Sequence, residues 1–381
     1  MDFAFVILII IVGYLFLEQF RNKISENNFT NLGYLLVYHL IYGIYYCFFV
    51  LGDSIGYWRS PKNLTYEEFL HFFKEDQGTY FIIALNYLPS NVLNLSYFVG
   101  TMIYSLIGFV GLAYFYVIAI DLIPKNSKIY GLYLFPFLFF LPNLHFWSCG
   151  VGKDTILFTC IALFSYGLLL PLKRMHFIIF SIILSYFVRP HITLFILLGF
   201  GFAFFSGKNL SIYQRTFFFA ASIGIAIYIL PLVLKFSKID EASIDAFQKF
   251  STNKGSLLSR SGTGSALDIS SSSFSVKVFS FLFRPFIFDI NSFPSLLAAI
   301  ENLILLFLTI KYFISKPFQS FRNSPFLIQG MMYFLIIGTL AFSQSLGNLG
   351  IMIRMRNMFL PGLIIFFLWH FSFLQKNDVN E

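Results

Sequence analysis

A few short stretches bring acids and bases together in a chain that has little of either. Gly52-Asp53-Ser54-Ile55-Gly56-Tyr57-Trp58 sets one carboxylate between two glycines. Trp147-Ser148-Cys149-Gly150-Val151-Gly152-Lys153-Asp154 sets an ammonium beside a carboxylate after a glycine-rich turn. Arg189-Pro190-His191, Arg284-Pro285 with Asp289 five residues on, and Arg354-Met355-Arg356 supply guanidiniums. A carboxylate at the mouth of a cavity can take a proton from a hydroxyl. Guanidinium forks match phosphate oxygens, and Lys binds phosphate as a point charge. Asp53 and Asp154 are therefore the candidate catalytic acids. Lys153, Arg189, Arg284, Arg354 and Arg356 are the candidate phosphate contacts, with Tyr57, His191, Asp289 and Glu301 in support.

Each stretch also has a plainer reading. Asp53 can end a helix, with Tyr57 and Trp58 as interfacial anchors. Asp154 can complement the dipole of the helix it opens. Arg189 can snorkel to the interface with His191 as a polar rim, and one of Arg354 and Arg356 can be structural. Glu301-Asn302, inside an apolar run, can partner one of the arginines. His39 reads as a packing residue rather than a proton relay. Gly150-Val151-Gly152-Lys153-Asp154 lacks the GxxxxGK[ST] spacing of a nucleotide loop.

The elements that must hold these residues are dictated by composition. Of 381 residues, 57% are apolar, 12% are charged and 54 are Phe, with mean hydropathy +0.76. A soluble domain carries about 25% charged residues. Soluble, disordered and nucleic-acid-binding folds are therefore excluded. At about 20 residues per crossing, eleven helices would use about 220 positions. The expected fold is all-α: one polytopic transmembrane helical bundle over residues 1–381.

The predicted helices are 3–19, 32–52, 97–121, 129–146, 155–172, 176–188, 192–206, 216–236, 294–314, 326–346 and 358–373. Those at 176–188 and 192–206 are short. They read as a hairpin, one kinked span or two half-inserted pieces. The acid at Asp2, with Arg21 and Lys23 after the first apolar run, speaks for a retained first helix with its N-terminus outside. With eleven spans and a cytoplasmic C-terminus, Lys125, Lys128, Lys173, Arg174, Lys208, Arg215, Lys311, Lys316, Arg322 and Lys376 all fall on the inner side. The net charge of +8 then serves the inner loops and anionic lipid.

Two outer segments are long. Residues 53–94 contain an interfacial helix near Tyr66–Phe73. Residues 237–293 contain a Ser/Gly-rich stretch, Ser256–Ser275, and an amphipathic or re-entrant piece from Val278 to Asp289. No internal repeat is visible. Cys47, Cys149 and Cys160 form neither a disulfide framework nor a zinc motif.

Bases at span ends on the outer side, with acids at matching depth, point to an outward polar cavity. In this pattern the chain resembles bacterial polytopic glycosyltransferases of GT-C type and O-antigen-polymerase-like membrane proteins. The resemblance rests on Gly52-Asp53-Ser54-Ile-Gly-Tyr57-Trp58, on Leu141-Pro142-Asn-Leu-His-Phe-Trp147-Ser148-x-Gly-x-x-Lys153-Asp154 and on Arg354-x-Arg356-x-x-x-x-Pro361. It implies that Asp53 is the base and that Arg354 and Arg356 bind lipid phosphate. The donor would be a polyprenyl-phosphate-linked sugar at the outer face of the bacterial inner membrane, with envelope polysaccharide assembly proteins as partners. No cofactor is implied, and without a DxD motif a divalent ion stays open. Two departures stand out. The next acid after Asp53 in the first loop is Glu67 rather than an adjacent one, and only eight residues follow the last span. The competing classes are a transporter or flippase of an anionic lipid-linked glycan and a non-catalytic envelope-assembly subunit.

Overall fold

The computed structural model describes residues 2–50, 52–206, 211–237 and 272–378, with positions 239, 243, 249–251 and 253 between them. Lys208 and residues 256–271 of the Ser/Gly stretch lie outside the described residues. The described chain is helical apart from one hairpin. Its first helices are α1 (Asp2–Glu18) and α2 (Glu26–Phe49), with α3 (Asp53–Arg59), α4 (Tyr66–Lys74) and α5 (Thr79–Leu85) in the first long loop. Next comes α6 (Tyr97–Leu122), the hairpin β1 (Lys128–Ile129) and β2 (Leu132–Tyr133), and the short helices α7 (Leu134–Phe137) and α8 (Pro142–Phe146). The longer α9 (Lys153–Leu169), α10 (Met175–Val188), α11 (Pro190–Ser206) and α12 (Ile212–Ser237) follow. The last six are α13 (Phe274–Phe283), α14 (Phe293–Phe313), α15 (Pro317–Asn323), α16 (Phe326–Ser345), α17 (Leu349–Arg356) and α18 (Leu360–Asp378).

Five of these, α2, α6, α12, α14 and α16, are long and apolar enough to cross a membrane. The pair α17 and α18, bent by 59° at its break, would make a sixth. The outward faces agree with lipid. On α12 only Ala226, Ile229 and Val233 are buried, while Ile227 and Tyr228 stand exposed. Such a continuous apolar surface is a liability in water and is ordinary against hydrocarbon.

The continuous helix expected at 129–146 does not form. Tyr130 and Gly131 both take positive φ, 49° and 82°, and turn the chain between β1 and β2. Beyond the hairpin, Phe135 (ψ 130°) precedes Pro136 and Leu141 (ψ 130°) precedes Pro142. A proline ring crowds the residue before it out of the helical region, so each Pro ends a short piece. The same rule ends α10, since Arg189 is extended (φ −154°, ψ 95°) before Pro190. The two predicted helices around it are separate elements. The helix expected near Tyr66–Phe73 is present as α4. Thr65 accepts from the Glu68 amide, and the Glu68 carboxylate accepts from the Thr65 amide and hydroxyl.

By internal packing the chain groups into two compact units, Met1–Asp121 with Pro136–Arg189, and Leu122–Phe135 with Pro190–Glu381. In the first, α6 is the central helix, buried along most of its length. Small residues let its neighbours close on it, as membrane helices require when hydrophobic burial cannot drive association. Gly108 faces the Ser148 carbonyl, and Gly111 faces the backbone and side chain of Thr159 on α9. In the second unit α16 is central. Gly330 receives the Phe200 ring of α11, and Gly338 receives the Phe359 ring just before α18.

A Cβ at Gly108 would overlap the Ser148 carbonyl oxygen, which is backbone and cannot swing away. Gly108→Ala is therefore expected to destabilise the detergent-solubilised protein by about 3 kcal/mol, at the upper end of overpacking costs. Gly33→Ala, where nothing lies within 4 Å, is expected to leave the thermal unfolding midpoint unchanged.

Candidate functional site

Five of the candidate residues lie in the first unit, and they share one end of it. The bond from Ser96 Oγ to Asp2 Oδ2 (2.6 Å) ties the start of α6 to the start of α1 at that end. Trp58 Nε1 donates to Leu95 O (3.1 Å), which docks α3 there. Basic residues lie at both ends: Arg59, Lys62 and Lys74 with α3 and α4 in the first loop, and Arg21, Lys23, Lys173 and Arg174 at the opposite end. Arg21 pairs with Glu18 at 2.7 Å, and the Arg174 guanidinium lies 3.7 Å from the Tyr166 ring centre.

Lys153 and Asp154 open α9. Pairing of Gly111 with Thr159 shows that α9 begins about eight residues further along the bundle than α6 does. At 1.5 Å per residue, that places Lys153 and Asp154 about 12 Å below the first residue of α6. The candidate charges are recessed, not on a rim. The turn before them depends on glycine. Gly152 has φ +149°, and a Cβ there would press on the Tyr57 ring at 3.1 Å. A Cβ at Gly150 would meet the Tyr46 ring, whose hydroxyl lies 3.0 Å from Ser54 Oγ.

Tyr57 is thus held between the glycine turn and Lys153, whose Nζ stands 5.7 Å from its ring centre. Lys153 Nζ donates to Thr79 Oγ1 at 2.9 Å. Arg189, last before α11, meets Asp154 at 2.9 Å. Their side chains are 11% and 10% exposed, so this ion pair is close to fully desolvated. Asp53, at the start of α3 and one helical turn before Tyr57, is exposed. The arrangement is a recessed cationic spot, Lys153 on an aromatic floor, with a solvent-reaching carboxylate on the helix beside it. Asp154 is paired with Arg189, whereas Asp53 lies exposed at the start of α3.

Beneath this end lies a pair that nothing in the sequence links. His39 of α2 and His145 of α8 approach with Nδ1 atoms 3.1 Å apart, both fully buried. His145 Nε2–H donates to Phe139 O at 2.9 Å, so its Nδ1 accepts from His39 Nδ1–H. The expectation of a packing histidine at position 39 holds in part: it packs, against a second histidine 106 residues away.

The other six candidates lie in the second unit. Arg284 Nε donates to Asp289 Oδ2 at 3.0 Å, and its Nη2 pairs with Oδ1. Asp289 also accepts from the Phe286 amide at 2.8 Å. Arg356, buried at the end of α17, donates Nη1 to the carbonyls of Phe281 and Leu282 and Nη2 to Asn302 Oδ1. Asn302 Nδ2 in turn donates to Pro285 O at 2.8 Å. The adjacent Glu301 carboxylate interacts electrostatically with Arg356. Arg356 thus caps the carbonyl end of α13. Arg354, two residues earlier, is half-buried. His191 packs among the rings of Phe195, Phe236 and Phe342, each about 6 Å away.

Sequence reasoning missed Thr79 and the partner role of His145, neutral residues with no local signal, whereas Glu301-Asn302 was expected to partner an arginine and does so with Arg356. Among the described residues no three His, Cys, Asp or Glu side chains cluster as metal ligands. The chain matches no family model, no curated protein and no solved structure.

Two outcomes follow from this geometry. Removing one partner of a desolvated ion pair strands the other, at a cost of about 3–5 kcal/mol. Arg189→Ala is expected to lower thermal stability by that order, while the double variant Arg189→Gln, Asp154→Asn recovers most of it. The second outcome concerns Asp289. Burial pushes its carboxyl up, but the Arg284 hydrogen bond, the Phe286 amide and the Arg284 charge outweigh burial and hold it below the usual carboxylate range. Its stabilisation is therefore complete above the unfolded carboxylate pKa and is lost as pH falls through the lower folded value. Hydrogen exchange across residues 284–290 is expected to accelerate in that acidic window, and Asp289→Asn is expected to remove the pH dependence.

Proposed function

We propose that this protein is a bacterial membrane glycosyltransferase or polysaccharide polymerase of the GT-C and O-antigen-polymerase-like kind. Its donor is a sugar linked to a polyprenyl phosphate at the outer face of the cytoplasmic membrane, and its product feeds surface polysaccharide. The observation that carries the reading is the juxtaposition of Lys153, Tyr57 and exposed Asp53 at one end of the first unit.

In the proposed reaction the Asp53 carboxylate takes the proton of an acceptor hydroxyl. The hydroxyl oxygen attacks the anomeric carbon, and the carbon–oxygen bond to the carrier phosphate breaks. The electron pair leaves on the phosphate, which the Lys153 ammonium meets. Tyr57 supplies an aromatic floor, and the Asp154–Arg189 pair holds the start of α9 against the end of α10. Arg354 keeps its proposed lipid-phosphate role, whereas Arg284 and Arg356 act as positioning residues. The reading takes the N-terminus outside, with about eleven crossings and the short helices around Pro136 and Pro142 as a broken one. Envelope polysaccharide assembly proteins are the proposed partners.

The test is a glycolipid and surface-polysaccharide profile with and without the gene, complemented by variants. Loss of the gene is expected to leave single or underglycosylated lipid-linked units on the outer side. Asp53→Asn and Lys153→Gln are each expected to reproduce that profile, with membrane abundance unchanged. Lipid-linked units trapped on the cytoplasmic side would instead identify a transporter. Normal glycan with both variants would identify a non-catalytic subunit.

A further inference from the structure

The second unit contains a cavity of about 380 Å³ that none of the candidate residues lines. Its wall comes from α13, α14, α15, α16 and α18, through Leu282, Phe313, Phe318, Leu335, Leu340 and Phe366 among others. Two of its three hydroxyls are spent on backbone carbonyls, Thr309 Oγ1 on Leu305 O and Tyr312 OH on Pro317 O. The wall therefore offers an occupant almost only hydrocarbon. Ile336 and Leu340 line it and are themselves about half exposed, which opens it sideways along the α16 face.

One end of this groove is built differently. The short helix α15 crosses it, contributing Phe318 and Phe321 to the wall. Phe318 is 85% exposed, a ring standing at a rim. The helix is anchored from beneath: His370 Nδ1 lies 2.7 Å from Ser320 Oγ, and Trp369 Nε1 donates to Ser320 O at 3.3 Å. The charged residues next to that rim along the chain are basic. Lys316 precedes α15 and Arg322 lies within it, whereas Lys311 Nζ rests 5.3 and 5.8 Å from the ring centres of Tyr130 and Phe307, off the groove wall. Between Glu301 and Asp378 the sequence contains no acid at all. The basic groups at the other end, Arg284 and Arg356, are taken up by Asp289 and by the α13 carbonyls.

We propose that this groove is a binding site for a membrane phospholipid with an anionic headgroup. Its acyl chain fills the cavity between α13, α14, α16 and α18. Its phosphate sits at the α15 rim against Lys316 and Arg322. Charge complementarity and a side opening selects this occupant over a soluble apolar ligand, and the committed arginines at the far end select it over a carrier lipid headed there. The site is separate from the Asp53–Lys153 end of the first unit and does not rest on the glycosyltransferase reading. With the orientation taken above, the lipid belongs to the inner leaflet.

The experiment uses the full chain, purified in mild detergent and exchanged into nanodiscs of phosphatidylglycerol and phosphatidylethanolamine. Bound lipid is counted by native mass spectrometry after delipidation. The expected result is one phospholipid per chain, with phosphatidylglycerol favoured. Leu340→Trp, which places a ring in the groove from an exposed position, is expected to abolish retention while the unfolding midpoint without added lipid is unchanged. A second filling variant, Ile336→Trp, guards against misfolding of the first. Lys316→Gln and Arg322→Gln are each expected to weaken the phosphatidylglycerol preference about fivefold without abolishing retention. Equal retention of both lipids, retention unaffected by both Trp variants, or co-purification of a polyprenyl phosphate in the groove would each overturn the proposal. None of these outcomes bears on the glycan profile of Asp53→Asn.

Discussion

A guanidinium cannot give up its proton, and helices packed in an apolar setting offer it little water. The positions of three arginines follow from that constraint, and much of each unit's architecture follows from the arginines. Arg189 sits against Asp154 and thereby joins the end of α10 to the start of α9. Arg284 closes a five-residue loop onto Asp289. Arg356 reaches the last carbonyls of α13 and the Asn302 amide, tying α17, α13 and α14 at one point. Bonds of this kind contribute little net stability when intact and cost a great deal when half broken, so they act as registration pins between helices.

The neutral packing around these pins is what makes a recess possible. In lipid, helix association depends on close backbone approach, and here α6 supplies it through Gly108 and Gly111. The chain segment that fills the space beside α6 is the broken piece between Pro136 and Pro142, too short to continue as a helix. Because it ends partway along α6, α9 starts below the bundle's end. Lys153 and Asp154 are carried down with it. The two prolines break this piece into short helices, and the Tyr57 ring lies against the glycine turn that leads from it into α9.

The aromatic content also divides by role. Buried rings fill the gaps between helices, as Phe200 does against Gly330 and Phe359 against Gly338. Exposed rings face lipid or stand at rims, as Tyr228 and Phe318 do. His39 and His145 belong to neither group. They form a buried polar contact in which each imidazole partly satisfies the other, so His39, which the sequence shows only as a packing residue of its span, is one half of a pair.

The long apolar runs, the helix near Tyr66–Phe73 and the break at Arg189-Pro190 were legible because they depend on hydropathy and on the geometry of residues a few positions apart. The helix expected at 129–146 failed for an equally local reason: Pro136 and Pro142 exclude their predecessors from the helical region, and Tyr130-Gly131 turns the chain before them. The types of residue that could bind phosphate or move a proton were legible too, since charge is rare in this chain. Which charges are available was not. The pairing of Arg189 with Asp154, of Arg356 with carbonyls some seventy residues away, of Lys153 with Thr79 and of His39 with His145 was decided only by tertiary structure. Hydropathy and turn chemistry act along the chain, whereas a charge in a dry interior takes whichever partner the packing brings near, at any separation.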